Sequence, residues 1–211
     1  MSFRVLFFVF ALSSLVQTVR AQGAHTQASV EQVARSFKDG GHYDKASKGT
    51  GVPEDLTFKG ETILSADPQG SYCCGFTLSV VLHTAVNRGL LKDKTTKEVR
   101  HFQKEWYGAS QDTRELTCTK AMTDFRIGRA VKPDEAQAGD FVQFWRGKTG
   151  HSVVFLNWVE KGGKKIGLHY RSSQTGTDGI GDRTEYFADS GVKGGQVLRE
   201  RTYFARLNEN P

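Results

Sequence analysis

Two neighbouring cysteines stand where the sequence predicts the start of a helix. Cys73 and Cys74 follow the turn-forming run 67–71 and open an apolar segment that extends to about residue 87. The free N–H groups and the dipole of a helix N-terminus stabilise a thiolate, which is the reactive form of cysteine. Cys73 is therefore a candidate nucleophile, although a pair of small buried core residues gives the same pattern.

A histidine further along the chain strengthens this interpretation. His151 follows the flexible turn 147–150 and opens the apolar run 152–156. A histidine at the mouth of a buried strand is held in position and still reaches a cleft, so it is suited to take a proton from a thiol. The alternative is a structural histidine whose hydrogen bonds are satisfied inside the fold.

The third cysteine, Cys118, leaves the thiol count odd. Exported proteins meet an oxidising environment, where an unpaired cysteine is unusual. Cys118 can pair with Cys73 or with Cys74 and leave the other thiol free. A free Cys73 favours an enzyme, whereas a bridge from Cys73 to Cys118 favours a non-catalytic binding module.

The first 21 residues have the pattern of a secretory signal peptide. Arg4 precedes the apolar run 5–16, and small residues surround Arg20 at the cleavage position. The run is shorter than the roughly 20 residues of a membrane-spanning helix, so we expect cleavage and no stable membrane insertion. Cleavage lowers the formal charge from +6 to +4 by removing two arginines. The sequence thus predicts a secreted or periplasmic protein, whose positive charge either attracts it to anionic polymers or serves only solubility.

Helices in the first half and strands in the second must position these residues. Apolar spacing predicts helices at about 29–37, 73–87, 96–107 and 113–127. Thr95 and Glu98 have the spacing of a capping box before the third of them. Segments rich in aromatic and β-branched residues predict strands at 140–145, 152–159, 166–173 and 202–207.

This order of elements predicts an α+β domain with an antiparallel sheet. Gly162 and Gly163 mark a hairpin turn between two of the strands. We expect the domain to span residues 70–211, preceded by a helix and an irregular approach segment in 22–69. The polar, glycine-rich segment 172–181 is either a wall of a cleft or an ordinary surface loop. Trp145 and Trp158 are interpreted as core residues.

Several classes of function lack their sequence signals. Cys73, Cys74 and the scattered histidines do not have the spacing of a metal site. A phosphate-binding loop and a dinucleotide fingerprint are missing from the sequence, and lysines and arginines are dispersed along the chain. We therefore expect no metal, no organic cofactor and no nucleic-acid partner.

Two segments resemble the signatures of NlpC-type cell-wall peptidases, which have a papain-like α+β fold. Residues 72–76, Tyr-Cys-Cys-Gly-Phe, are similar to the family's nucleophile segment, usually Asp-Cys-Ser-Gly and an apolar residue. Residues 138–144, followed by Gly-His-Ser-Val-Val-Phe at 150–155, are similar to the second signature, in which a Gly-Asp pair opens one strand and a histidine opens the next. The resemblance covers about residues 70–175.

The resemblance implies that Cys73 is the nucleophile and His151 the base of an enzyme that hydrolyses an amide bond of peptidoglycan, in its stem peptide. A third polar residue on the following strand then orients the histidine. His169 is our first candidate for it, and Gln174, on the opposite face of that strand, is the competitor. The sequence departs from the family at Tyr72, where an Asp is usual, and by two extra helices between the signatures.

Two other functions remain open at this stage. An acyltransferase on the same scaffold would use an amine or alcohol in place of water. A non-catalytic wall-binding module would hold Cys73 in a disulfide.

Overall fold

The computed structural model describes residues 28–211, so the predicted signal peptide lies outside the described residues. The helices are α1 (Val30–Ser36), α2 (Cys73–Asn87), α3 (Thr96–Trp106), α4 (Gln111–Leu116) and α5 (Cys118–Asp124). The strands are β1 (Gly40–Gly41), β2 (Leu56–Phe58), β3 (Glu61–Leu64), β4 (Gly128–Val131), β5 (Phe141–Arg146), β6 (Thr149–Lys161), β7 (Lys164–Gln174), β8 (Gly179–Tyr186) and β9 (Thr202–Leu207). The fold is α+β. None of the helices in this range is long and apolar enough to cross a membrane.

Local signals mark an end of each of the first three helices, and the capping box predicted at Thr95 and Glu98 is confirmed. The side chains of Ser29 and Thr95 accept hydrogen bonds from the third residue of α1 and α3, and both helices have complete capping boxes. Helix α2 begins at Cys73 and ends before Gly89, which has a φ of +69°. A positive φ is easy for glycine, so this residue stops the helix.

The single helix predicted at 113–127 is wrong, because the chain breaks at Thr117. This residue has a φ of +41°, which ends α4 and starts α5. A contact from the sheet accompanies the break: Nε1 of Trp145 donates to the backbone oxygen of Glu115 at 3.0 Å. This hydrogen bond joins segments that are distant in sequence, so no local sequence signal announces the break.

Seven antiparallel strands form the main sheet of the described region, in the order β1-β8-β7-β6-β5-β9-β4. The four predicted strands appear as β5, β6, β7 and β9, and β6 and β7 meet at the predicted hairpin turn. The sequence missed β8, because the glycine-rich segment 172–181 contributes its ends to β7 and β8. Gly179 approaches β1 so closely that an added Cβ would lie 2.1 Å from the oxygen of Gly40. The glycines that predicted a loop therefore allow the backbones of neighbouring strands to approach closely.

The sheet is buried on both faces. The larger core lies between the sheet and the helices and contains Phe76, Trp106, Phe141 and Val154. A smaller aromatic core covers the other face and contains Phe144, Phe155, Tyr170, Phe187 and Phe204. Alternate residues of β5 and β6 therefore point toward different cores, as strand geometry requires.

The buried Arg171 ties the N-terminal segment to the sheet. Its guanidinium donates to the backbone oxygens of Ala34 and Phe37, near the end of α1, at 3.0 and 2.8 Å. It also forms an ion pair with Asp182 of β8 at 2.8 Å. Residues 30–39 are thus held against the same sheet that carries His151.

Gly75, in the first turn of α2, packs against the chain at Gly51. A Cβ at position 75 would lie 1.9 Å from the oxygen of Gly51, so only glycine fits. The backbone of the approach segment fills the space beside Gly75 and fixes the position of the first turn of α2.

We expect Gly75→Ala to lower the free energy of unfolding by about 1–3 kcal/mol, because overpacking forces the backbone to shift. An unstrained Gly→Ala change inside a helix has the opposite sign. Chemical denaturation of the two proteins measures the difference. Val86→Ala is the control on the same helix, because Val86 is 48% exposed. We expect the control to stay within about 0.5 kcal/mol of the parent, and a stabilised Gly75→Ala protein would contradict the packing argument.

Candidate active site

Cys73 is the first residue of α2, where the backbone N–H groups have no partners within the helix. Tyr72 precedes it with extended backbone angles and provides no side-chain cap. Its hydroxyl instead donates to the oxygen of Gly49 at 3.0 Å, and its ring meets the edge of Tyr107. Tyr72 therefore anchors the approach segment, and the first-turn amides of α2 are left for another acceptor.

The two neighbouring thiols have opposite electrostatic environments. Their Sγ atoms are 3.9 Å apart, and Sγ of Cys74 lies 3.5 Å from Oγ of Ser152. A hydrogen bond from Cys74 lowers the pKa of Cys73, and it outweighs the effect of burial with help from His151 and the Ser152 amide. The same contact and burial raise the pKa of Cys74. These surroundings favour the thiolate at Cys73 and the neutral thiol at Cys74.

His151, on β6, is 4% exposed and faces the smaller core. Its ring packs against the rings of Phe144 and Tyr170, with centroid distances of 5.4 and 5.6 Å, and those two rings also contact each other. These contacts hold the imidazole beside Cys73. Its Nε2 atom is buried and has no hydrogen-bond partner among the described residues. A buried unpaired nitrogen is costly in a native structure, and functional sites are where such atoms occur.

None of the three cysteines forms a disulfide within the described chain. Cys118 begins α5 and is fully buried, and burial raises its pKa to about 12. It is therefore inert as a nucleophile at neutral pH. The bridge from Cys73 to Cys118, which would mark a non-catalytic module, is not formed in this structure.

The prediction that His169 orients His151 is wrong. His169 pairs with Asn157 across the ladder, and the contacts of its ring are with β8. Its Nδ1 is 3.0 Å from Oγ1 of Thr184, and its Nε2 is 4.0 Å from Asp182. The neighbouring Tyr170 is the residue that reaches the His151 ring, so His169 points to the opposite face of β7.

Gln174, the competing residue, is placed on the correct face of β7. Tyr170 contacts the His151 ring, and Gln174, four residues further along β7, lies on the same face of that strand. Its Nε2 donates to Oγ1 of Thr177 at 2.6 Å and to the oxygen of Gly181 at 3.1 Å. Its Oε1 is buried without a partner among the described residues. The acceptor left unpaired on Gln174 thus matches the nitrogen left unpaired on His151.

A cleft of about 170 Å³ opens over Cys73 and His151. The segment between the two family-like signatures forms its outer wall, with Tyr107, Arg114 and Thr117. Trp145 lines the same cleft from β5, so its interpretation as a core residue is corrected. The extra helices of this chain therefore shape the space in which a substrate would lie.

Sequence reasoning missed two polar residues on the floor of this cleft. Gln143 and Ser152 are directly paired on β5 and β6, and both are buried. Oγ of Ser152 donates to Oε1 of Gln143 at 2.6 Å. The sequence signal that could have found them is Gln143 itself, a polar residue inside the apolar run of β5. A buried amide needs a specific hydrogen-bond partner, so its presence there indicates a polar contact.

Comparisons with family models, curated proteins and solved structures found no match to this chain. The function therefore has to be inferred from the residues of the cleft and from the two short motifs. Within residues 28–211, no group of three or more His, Cys, Asp or Glu residues is arranged to hold a metal ion.

We expect iodoacetamide to label Cys73 first, with a midpoint in the pH–rate profile below the value of about 8.5 for an ordinary thiol. The reason is that its lowered pKa increases the fraction of thiolate at a given pH. Mass spectrometry of the labelled peptides identifies the residue. Labelling of Cys74 while Cys73 stays inert would reverse the assignment.

Substitutions of Cys74 separate the hydrogen bond from packing. Cys74→Ala removes the donor, so we expect the Cys73 midpoint to move to higher pH. Cys74→Ser retains an O–H donor of similar size, so its midpoint should stay nearer to that of the parent. Equal midpoints in all three proteins would show that Cys74 does not stabilise the thiolate.

Proposed function

We propose that the chain is an exported cysteine hydrolase that cleaves an amide bond of peptidoglycan, in the stem peptide, through an acyl-enzyme on Cys73. One observation carries the chemical part of this proposal. The Cys73 thiol, at the N-terminus of α2, lines the same narrow cleft as His151 and Ser152, and the charge of His151 and the Ser152 amide both lower its pKa. A nucleophile beside a fixed base is the arrangement that acyl transfer requires.

Acylation begins when His151 takes the proton of Cys73. The thiolate attacks the carbonyl carbon, a C–S bond forms, and the carbonyl electron pair moves to oxygen. Backbone N–H groups in the first turn of α2 are placed to donate to this oxyanion. The carbonyl then re-forms, the C–N bond breaks, and His151 gives its proton to the departing amine.

Deacylation repeats these steps with water. His151 takes a proton from the water molecule, whose oxygen attacks the thioester carbonyl. Collapse of the second tetrahedral intermediate releases the carboxylic acid and returns Cys73 to its starting state. Neither half of the reaction needs a metal or an organic cofactor.

We propose Gln174 as the residue that orients His151. In this arrangement Nδ1 of His151 faces Cys73, and Nε2–H donates to Oε1 of Gln174. The two hydrogen bonds from Gln174 to Thr177 and Gly181 support this role, because they hold the amide with its oxygen free. A held amide acceptor selects the tautomer that leaves the other ring nitrogen free to act as base.

The proposed architecture is the papain-like fold of NlpC-type enzymes. A thiol at a helix N-terminus, packed on an antiparallel sheet with histidine on a strand, supports it. Asp140, in the Gly-Asp pair of the second motif, is 1% exposed and forms an ion pair with Arg206 of β9 at 2.7 Å. Asp140 therefore fixes the start of β5, beside the strand that carries His151, and takes no chemical role in this proposal.

Three sequence features support a cell-wall substrate and an exported location. They are the signal-like residues 1–21, the remaining positive charge, and the two motifs that resemble those of cell-wall peptidases. A basic exported protein is drawn to anionic wall polymers.

We expect the protein to release peptide fragments from purified peptidoglycan, and Cys73→Ala and His151→Ala each to abolish that release. The two residues act as one unit, so the double variant should be no worse than either single variant. Mass spectrometry of the soluble fragments identifies the bond that is cleaved. Substantial release by either single variant would contradict the catalytic pair.

The same experiment distinguishes the two rival functions. Fragments that carry an added amine or alcohol in the presence of such acceptors would indicate an acyltransferase. Binding to peptidoglycan without any new fragment would indicate a wall-binding module. Cys118→Ala is the control, because it removes a buried thiol that lies outside the proposed chemistry.

We expect Gln174→Ala to lower kcat strongly but not to zero, whereas His169→Ala should change it little. Loss of an orienting partner leaves the nucleophile, base and oxyanion donors in place, so residual turnover remains. Initial rates of fragment release, measured across pH, compare the two variants. A large loss for His169→Ala with a small loss for Gln174→Ala would restore the original choice.

A further inference from the structure

Gln143 is a buried amide that the steps above do not use. It lies in the middle of β5, is 4% exposed, and points to the helix side of the sheet, between the neighbours Val142 and Phe144 that enter the smaller core. It also lines the cleft that contains Cys73 and His151. An amide in a strand of aromatic and aliphatic residues costs free energy unless its polar atoms find partners.

Two neighbours fix the orientation of this amide. The hydroxyl of Ser152 donates to Oε1 at 2.6 Å, and the same hydroxyl lies 3.5 Å from the thiol of Cys74. The amide nitrogen lies over Gly150, where an added Cβ would be only 2.5 Å from Nε2. Gly150 is itself a residue of the cleft.

The acceptor of Gln143 is therefore occupied while its donor is available. Within residues 28–211, no protein atom accepts a hydrogen bond from Nε2. A rigid N–H group in a narrow cleft beside a thiolate is suited to stabilise negative charge that develops during a reaction. Such preorganised donors act strongly because they need no reorganisation when the charge appears.

We propose that Nε2 of Gln143 donates a hydrogen bond to the oxyanion formed when Cys73 attacks a carbonyl carbon. This inference rests on the acyl-transfer chemistry of the proposed function and names a catalytic residue for it. In the attack, the new C–S bond uses the thiolate electron pair, and the carbonyl π pair moves to the oxygen. Gln143 and a backbone amide of α2 then share that oxygen until the carbonyl re-forms and the leaving group departs.

Two reactions of the same thiol provide the test. Acylation by p-nitrophenyl acetate passes through an oxyanion and releases p-nitrophenolate. Alkylation by iodoacetamide displaces iodide from a carbon atom and forms no oxyanion. Both rates are measured on the full chain at a pH at which Cys73 is fully ionised, so a change in its pKa does not enter the comparison.

We expect Gln143→Met, which keeps the volume of the side chain, to lower the acylation rate about 100-fold. Its alkylation rate should stay within about twofold of the parent. Gln143→Glu keeps an acceptor for Ser152 and loses the N–H donor, so both of its rates should change in the same way as those of Gln143→Met. It replaces the methionine variant in the test if that variant does not fold. Gln196→Met is the surface control and should change neither rate.

Equal losses in both reactions would overturn the proposal, because Gln143 would then act on the thiolate or on the fold. Unchanged acylation in both variants would also overturn it and leave the acyl chemistry of Cys73 standing. A parent protein that is alkylated but never acylated would overturn the acyl-transfer mechanism and this role together. A parent that is acylated by the ester but inert toward peptidoglycan would contradict the substrate alone.

Discussion

The close approach of α2 to the chain at Gly51 is the constraint on which the site depends. Gly75 permits a separation at which no side chain could be accommodated, and this fixes the first turn of α2 against the backbone of Gly51 and Val52. The thiols of Cys73 and Cys74 then meet residues of β6. A helix held farther from the sheet would separate the nucleophile from its base. Backbone packing therefore comes before electrostatics in the construction of this site.

The two faces of the sheet contribute different parts of the site. On the helix side, the hydroxyl of Ser152 donates to Gln143 and lies 3.5 Å from the thiol of Cys74. On the other side, Phe144 and Tyr170 pack against the ring of His151. Cys73 lies at the edge where both faces are within reach. The base is therefore positioned by aromatic packing, and the nucleophile is positioned by polar contacts.

Local signals made the nucleophile helix, the capping box at Thr95 and the hairpin at Gly162 predictable, because each depends on residues close in sequence. The break at Thr117 was not predictable, since it accompanies a hydrogen bond from the distant Trp145. The choice between His169 and Gln174 depended on which face of β7 meets His151. The register of β6 shifts between Phe155 and Asn157. Counting residues from the hairpin turn therefore does not tell which face of β7 meets His151. Pairing across strands is non-local, so the sequence alone left it open.

The outer wall of the cleft is supported from outside the catalytic pair. The side chain of Glu115, in α4, accepts hydrogen bonds from Arg201 and Tyr203 near and in β9, and its backbone oxygen accepts one from Trp145. None of these contacts involves Cys73 or His151. Substitutions around Arg114, within α4, can therefore accumulate with little effect on the chemical step. On this scaffold, substrate specificity can therefore change while the catalytic chemistry stays the same.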